Sequence, residues 1–458
     1  MKDTDRNDDG YGGYDLIVIG AGSAGFSASI TAADAGKRVA LVGHGTIGGT
    51  CVNVGCVPSK AMIRAAEAIH GAHSAGRFPG LSGQAQVDDW QTLVQSKDDL
   101  VATLRQKKYA DLLPQYPGVD YIDDGPAQII EGGIIVGGRT LTAPKLIVAT
   151  GGRPVLPAID GIEEIGALDS TSLLELTTLP ESLIFIGAGY IGAELAQMMG
   201  RMGVKVTLVT RSRLLPGAEP EVSEALTDAF AAEGITLLTG LSYDSVRRDA
   251  AGVTLRVIRD GEPVEVTADH LVSTAGRRAN TDGLGLEAVG VETNARGSIV
   301  IGDDMRTSVP GIYAAGDVTD RDQFVYMAAY GAKLAVKNAV LGGDQRYDNS
   351  VMPWVVFSDP QVAGVGLGEH EAREAGFDIK TSIVPLDQVP RALAARDTRG
   401  LIKLVADKDS DRLLGGQIVA PEGSDTIQTL VMALKFGMTT KTLGETIFPY
   451  LTTVEGLK

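Results

Sequence analysis

A chain of 458 residues, 44% hydrophobic and rich in glycine (58 residues), carries enough apolar surface for about three domains. Its formal net charge of −17 excludes nucleic acid as a partner, because phosphate binding needs a basic face; the acidic surface is read as solubility. No apolar run approaches the ~20 residues that span a bilayer, and the acidic start Met1-Lys2-Asp3-Thr4-Asp5 does not resemble a signal peptide. A soluble, cytoplasmic protein with no membrane partner is expected.

Residues 1–13 are Asp- and Gly-rich and are predicted to be a flexible lead-in. Tyr14-Asp15-Leu16-Ile17-Val18-Ile19 then reads as a buried strand, followed at once by Gly20-Ala21-Gly22-Ser23-Ala24-Gly25, a helix from Phe26 to Ala35, and a second strand, Arg38 to Val42. This is the strand, glycine turn, helix and strand of a dinucleotide site. The first glycine makes the turn, the second admits the pyrophosphate, and the third lets helix and strand approach. The acidic residue that usually ends the second strand and holds the ribose is absent, since the chain there reads Gly43-His44-Gly45. The ribose must be held otherwise, through backbone or His44.

The two cysteines of the chain follow, five positions apart, in Gly45-Thr46-Ile47-Gly48-Gly49-Thr50-Cys51-Val52-Asn53-Val54-Gly55-Cys56-Val57-Pro58-Ser59-Lys60. A glycine-rich turn opening a helix, in a reducing compartment, suits a working dithiol/disulfide pair better than a structural cross-link. Helix amides there favour the thiolate. From Ala61 to Leu113 the pattern is helical, with Leu93, Val94, Leu100, Val101 and Leu104 near helical spacing. Short strands lead to Lys145–Thr150 and then to Gly151-Gly152-Arg153-Pro154, a domain boundary.

The dinucleotide unit then recurs: the strand Ser182–Ile186, the turn Gly187-Ala188-Gly189-Tyr190-Ile191-Gly192, a helix to Gly200 and the strand Lys205–Val209. Two such units imply two dinucleotides and electron transfer between them. The second unit ends in Thr210-Arg211-Ser212-Arg213, with no carboxylate for a ribose 2′-hydroxyl. Two guanidiniums suit a 2′-phosphate, which favours NADP over NAD unless both are merely solvated. The strand His270–Thr274 and Ala275-Gly276-Arg277-Arg278 mark the return from this inserted domain, and Gly311–Asp317 reads as a strand running into a turn. From Met352 long strands and a helix give an α+β C-terminal domain. The fold class is α/β, with two Rossmann-like domains and this third domain. The expected boundaries are 14–152 and 277–345 for the first site, 153–276 for the second and 346–458 for the last.

The two glycine turns, the Cys-x4-Cys-x3-Lys stretch, Ala149-Thr150-Gly151 and Ala315-Gly316-Asp317 together resemble the flavin-dependent pyridine nucleotide–disulfide oxidoreductases, from about Tyr14 to the last residue. The resemblance implies FAD on Gly20, Gly22 and Gly25 and NADPH on Gly187, Gly189 and Gly192. Gly49, Thr50, Thr150, Gly151 and Gly276 are further cofactor-binding positions, and Asp317 lies on the ribityl chain. It also implies Cys56 against the flavin, Cys51 as the outer interchange thiol, Lys60 paired with Glu194, and Tyr190 over the nicotinamide pocket.

Disulfide reductases of this family place a His, paired with a Glu, over the partner subunit's cysteines. In this chain the last His is His370, and the corresponding stretch Phe448–Glu455 keeps Glu455 but has Tyr450 five residues before it. A phenol is a poor acid for a leaving thiolate but can hydrogen-bond or lend oxygen to a metal. This stretch, with Gly45–Lys60, Gln323–Tyr326, Val389–Leu393 and Asp397–Gly400, resembles the mercuric reductases within the family, and Tyr109 matches a second tyrosine near their metal. Ordinary packing is the other reading of Tyr109 and Tyr450. The resemblance implies a homodimer whose active site is shared between subunits. Its substrate is Hg(II), bound by the soft thiolates Cys51 and Cys56.

Mercuric reductases commonly add a C-terminal vicinal cysteine pair that delivers the metal, and here the sequence stops at Gly456-Leu457-Lys458. Either the tail was removed or the protein works without the relay. The alternatives are a disulfide reductase of the glutathione reductase or lipoamide dehydrogenase type, and an Hg(II)-binding flavoprotein with poor turnover.

Overall fold

The computed structural model describes residues 13–458, so the lead-in expected at 1–13 lies outside the described residues except for Gly13. The chain divides into two units, each gathered from three stretches. The first comprises the described part of Met1–Pro58 with Gln95–Val155 and Arg277–Asp348. The second comprises Ser59–Val94, Leu156–Gly276 and Asn349–Lys458.

In the first unit the runs Leu16–Ile19, Val39–Val42 and Leu146–Val148 are continuous apolar strands with every residue buried. Strands buried on both faces belong in a covered parallel sheet. They form one with Ile312–Ala314 and Val119–Ile122, in the order 312–314, 146–148, 16–19, 39–42, 119–122. The helices Ser23–Asp34 and Val325–Val340 pack on each other in this unit. Ile17, Val42, Ile129, Ile134, Val148 and Ala314 make up part of its core. The chain leaves the unit along Gly152–Pro154 and returns along Arg277–Ala279, and these two short strands pair antiparallel.

The second unit repeats the design. Strands 236–238, 205–209, 182–186, 270–273 and 168–169 form a parallel sheet, in that order. The helix Tyr190–Arg201 follows the central strand, and Leu183, Phe185, Ala193, Leu195 and Met199 share one apolar cluster. From Trp354 a five-stranded sheet, in the order 354–356, 361–366, 413–420, 401–407, 379–385, is antiparallel throughout. The helix Gly423–Lys435 packs on it, giving the α+β character read from the sequence.

Two local expectations are corrected. The first glycine turn passes into helix at Ser23 rather than Phe26, because Gly22 already serves as the N-cap. The helical pattern expected from Ala61 to Leu113 is two helices, Cys56–His73 and Trp90–Arg105, with a break that Pro79, Gly80 and Gly83 enforce. Between 213 and 270 lie the helix Pro220–Ala232 and the antiparallel strands Leu241–Asp249, Gly252–Arg259 and Glu262–Ala268.

Candidate functional site

Both glycine turns are shaped by close backbone approach. At Gly20 (φ +113) a Cβ would lie 2.3 Å from the Ala149 carbonyl oxygen, and at Gly25 one would lie 1.7 Å from that of Gly20. In the second turn Gly187 (φ +99) would meet the Thr274 carbonyl oxygen at 2.7 Å, and Gly192 would meet that of Gly187 at 2.0 Å. The middle glycines differ. Gly22 and Gly189 are the N-caps of twelve-residue helices, neither supplies a side-chain cap, and a Cβ on Gly189 would meet nothing within 4 Å. Each turn therefore leaves helix-terminal N–H groups available beside glycine backbone. That donor set fits the pyrophosphate of a dinucleotide. The Thr274 hydroxyl, which donates to Ile186 and Gly187 carbonyls at 2.9 and 2.8 Å, fixes the second turn. No sequence pattern marks Thr274 for this role, which comes only from its place after the neighbouring strand 270–273.

The cysteine stretch is held against the first turn. The Gly48 N–H donates to the Ala21 carbonyl at 2.9 Å, and Gly49 (φ +68) lies so near Gly22 that a Cβ would stand 2.6 Å from the Gly22 Cα. The short helix Gly49–Asn53 carries Cys51 and Thr50, and the Asn53 amide ties it to the Ile47 and Gly49 carbonyls, both at 2.9 Å. Cys51 is half-buried. Cys56 is exposed and opens the helix Cys56–His73.

Tyr109 lies in a single π turn, Gln106–Ala110, at the end of the helix Trp90–Arg105. Its ring meets Phe26 edge-on at 4.8 Å, and its hydroxyl is 3.2 Å from the Ser23 hydroxyl. Burial raises its pKa, the Ser23 contact opposes this, and Cys51 and Cys56 lie near enough to add to the rise. The first unit thus groups Cys51, Cys56 and Tyr109 beside the first glycine turn. Asp317 also belongs to this unit. Burial lifts its carboxyl above the usual range against the pull of Arg277, whose Nε is 3.5 Å away. Thr150 and Asn280 exchange hydrogen bonds at 2.7 and 3.0 Å, which pins Thr150 and Gly151.

In the second unit Lys60 donates to the nearly buried Glu194 at 2.6 Å, and the other Glu194 oxygen accepts the Phe357 N–H at 2.9 Å. Tyr190 stacks on Trp354 at 5.5 Å, and burial pushes its pKa up to about 12. Trp354 had no signal in the sequence, since 164 residues of chain separate the two rings. Arg211 and Arg213 are both exposed, but Arg213 donates to the Pro216 and Ala218 carbonyls and so braces its own loop. Gly276 adopts φ +136 at the end of this unit's middle stretch. Tyr450 is 72% exposed, and Glu455 closes the turn after it by accepting the Leu451 N–H at 3.1 Å. Among the described residues no three His, Cys, Asp or Glu side chains converge as a metal cage.

Residues 14–335 match the pyridine nucleotide-disulphide oxidoreductase family, and residues 352–458 match its dimerisation domain. A mercuric reductase of Bacillus cereus is 44% identical over all of this chain and 72% of its own length. One of Streptomyces lividans is 44% identical over 97% of this chain and 95% of its own. Among solved structures, the HOCl-induced flavoprotein disulfide reductase RclA from Escherichia coli superposes with a TM-score of 0.86 at 29% identity, covering 97% of this chain and 98% of that one. Its Cu(II) complex superposes equally well. With both segments matched across the glycine turns, the cysteine pair and the C-terminal domain, the chain belongs to the pyridine nucleotide–disulphide oxidoreductases and is an enzyme of that family.

Proposed function

We propose that this enzyme reduces Hg(II) to Hg(0) with NADPH, as a cytoplasmic detoxification activity. The observation that carries the reading is the grouping of Cys51, Cys56 and Tyr109 beside the first glycine turn. The identity to mercuric reductases over nearly the whole chain supports it. In the overall reaction NADPH gives up a hydride, Hg(II) takes the electron pair, and one proton is released. FAD, when bound at the first turn, supplies the two-electron link between the nicotinamide and the cysteines.

The protein's own part is binding, placement and charge. Residues 14–152 and 277–345 hold FAD, 153–276 hold NADPH, and 346–458 pair two subunits. Cys56 stands at a helix N-terminus, where amide N–H groups stabilise a thiolate, and with Cys51 it offers Hg(II) the soft ligands it prefers. Tyr109 keeps its proton and lends a hydroxyl to the metal site. Lys60, fixed by Glu194, holds a positive charge one helical turn beyond Cys56. Arg211 favours the 2′-phosphate of NADPH, and Tyr190 covers the nicotinamide position. The dimerisation domain, with exposed Phe436, Ile447 and Tyr450, supports a homodimer in which Tyr450 reaches the partner's cysteines.

The test is NADPH oxidation with HgCl2 in excess thiol. Wild type turns over steadily, and Cys56→Ala loses this activity while keeping its bound flavin; full activity in that variant would sink the assignment. The likeness to a disulfide reductase favours a second reading, reduction of a small disulfide, which steady turnover on glutathione or lipoamide disulfide would support. Stoichiometric metal uptake without continuing NADPH oxidation would instead mark a binding protein.

A further inference from the structure

The strand that should end in a ribose-binding carboxylate ends in Gly43, and the structure shows what occupies that place. A Cβ built on Gly43 would stand 2.4 Å from the Tyr121 hydroxyl oxygen and 2.7–2.9 Å from the adjoining ring carbons. Tyr121 comes from the neighbouring parallel strand, where it is in register with Leu41. Registered residues of adjacent parallel strands share a face. The Leu41 side chain lies 3.5 Å from where a Gly25 Cβ would be, so this is the face on which the helix of the first glycine turn packs. The Gly43 N–H donates to the Ile122 carbonyl at 2.9 Å, which keeps the two strand ends laddered up to this point. Ligands of such sheets lie beyond the carboxyl ends of the strands. Tyr121 thus brings a hydroxyl to the strand end, on the helix side, where the missing side chain would begin.

We infer that the Tyr121 hydroxyl replaces the strand-end carboxylate and hydrogen-bonds the adenosine ribose of FAD. The inference rests on the reading that the first turn binds FAD. A phenol suits the exchange, because it can both donate to and accept from a ribose hydroxyl, where a carboxylate only accepts. Burial and the nearby Asp123 raise its pKa, so it stays protonated at neutral pH. The other candidates are weaker. His44 is exposed, and Asp124 is ion-paired with Arg139.

The test is the affinity of this chain, all 458 residues and stripped of flavin, for FAD and for FMN, which lacks the adenosine, read by flavin fluorescence. Tyr121→Phe keeps the ring and removes one neutral hydrogen bond, so FAD should bind about three- to tenfold more weakly while FMN is unaffected. Tyr121→Ala should bind FAD more weakly still, and adding Gly43→Glu to it should recover affinity by restoring a carboxylate in the vacated space. Asp123→Asn should change nothing. Equal FAD affinity of Tyr121→Phe and wild type, an equal loss for FMN, no recovery in the double variant, or a larger loss in Asp123→Asn would each overturn the inference. Wild type that takes up no FAD at all would overturn the flavin reading itself, which is a separate outcome.

Discussion

Glu194 is 6% exposed and spends both oxygens, one on the Lys60 ammonium and one on the Phe357 N–H. Removing the cation leaves a buried carboxylate with a single partner. Lys60→Met should therefore cost about 2 kcal/mol of stability, a value moderated because Lys60 itself is one-third exposed. The double variant with Glu194→Gln should recover most of it, which denaturant titration of the three proteins checks. Arg211 and Arg213 separate in the same way. Arg213 is committed to two backbone carbonyls and Arg211 is exposed, so Arg211→Ala should lower the NADPH-to-NADH ratio of kcat/KM by about ten- to a hundredfold. Arg213→Ala should act mainly on stability. Tyr109 adds a pH statement: its pKa is raised from ~10, so it remains a neutral phenol to high pH. The metal-dependent rate should show no alkaline limb from Tyr109 below about pH 10, and Tyr109→Phe should leave the neutral-to-alkaline profile unchanged in shape.

Elements of the second unit are tied together by a charge network that no sequence pattern announces. Arg201, at the end of the helix Tyr190–Arg201, donates to Glu233 at 2.6 Å and lies 3.0 Å from Asp359, and Arg399 joins the same two acids and Asp397. Arg201 is 5% exposed and Glu233 is 10% exposed. Breaking such a pair from one side leaves a buried charge, so Arg201→Met should cost about 3–5 kcal/mol, read as a lowered denaturant midpoint. Burial alone would raise the Asp397 carboxyl, but Arg399 overcomes this and holds it below the usual carboxylate range. A depressed carboxyl contributes stability above its unfolded pKa of ~3.9 and loses it as pH falls through the folded value. Arg399→Met should then flatten the pH dependence of stability in that acid window. The sequence made the strands and both glycine turns legible, because fully buried parallel strands are unbroken apolar runs and a φ above +90 at Gly20 and Gly187 demands glycine. Thr274, Asn280, Trp354 and Tyr121 stayed hidden, because each acquires its role from a residue distant in sequence. The break at 78–89 was hidden because apolar spacing continues on either side of it.

At the scale of the whole molecule the question is whether one chain carries a complete site. Tyr450 projects from the C-terminal domain, 72% exposed, in a segment that also exposes Ile447 at 95% and Leu451 at 44%. Such a cluster of exposed apolar side chains in a dimerisation domain is the composition of a contact surface. If Tyr450 serves the partner's cysteines, two inactive chains can complement each other. In a dimer of one Cys56→Ala chain and one Tyr450→Phe chain, one site combines both lesions and the other combines both wild-type groups. Random pairing of equal amounts makes half of the dimers hybrid, each with one good site in two. About a quarter of wild-type Hg(II)-dependent activity should therefore return after the two variants are unfolded together and refolded, provided each alone is nearly inactive. If every site were built within one chain, each site in the mixture would carry one lesion or the other, and the activity would stay at the mean of the two variants. The mixing experiment therefore reads the sharing of the site directly, with the fraction of refolded dimer in each sample as the control that both variant subunits fold and pair as wild type does.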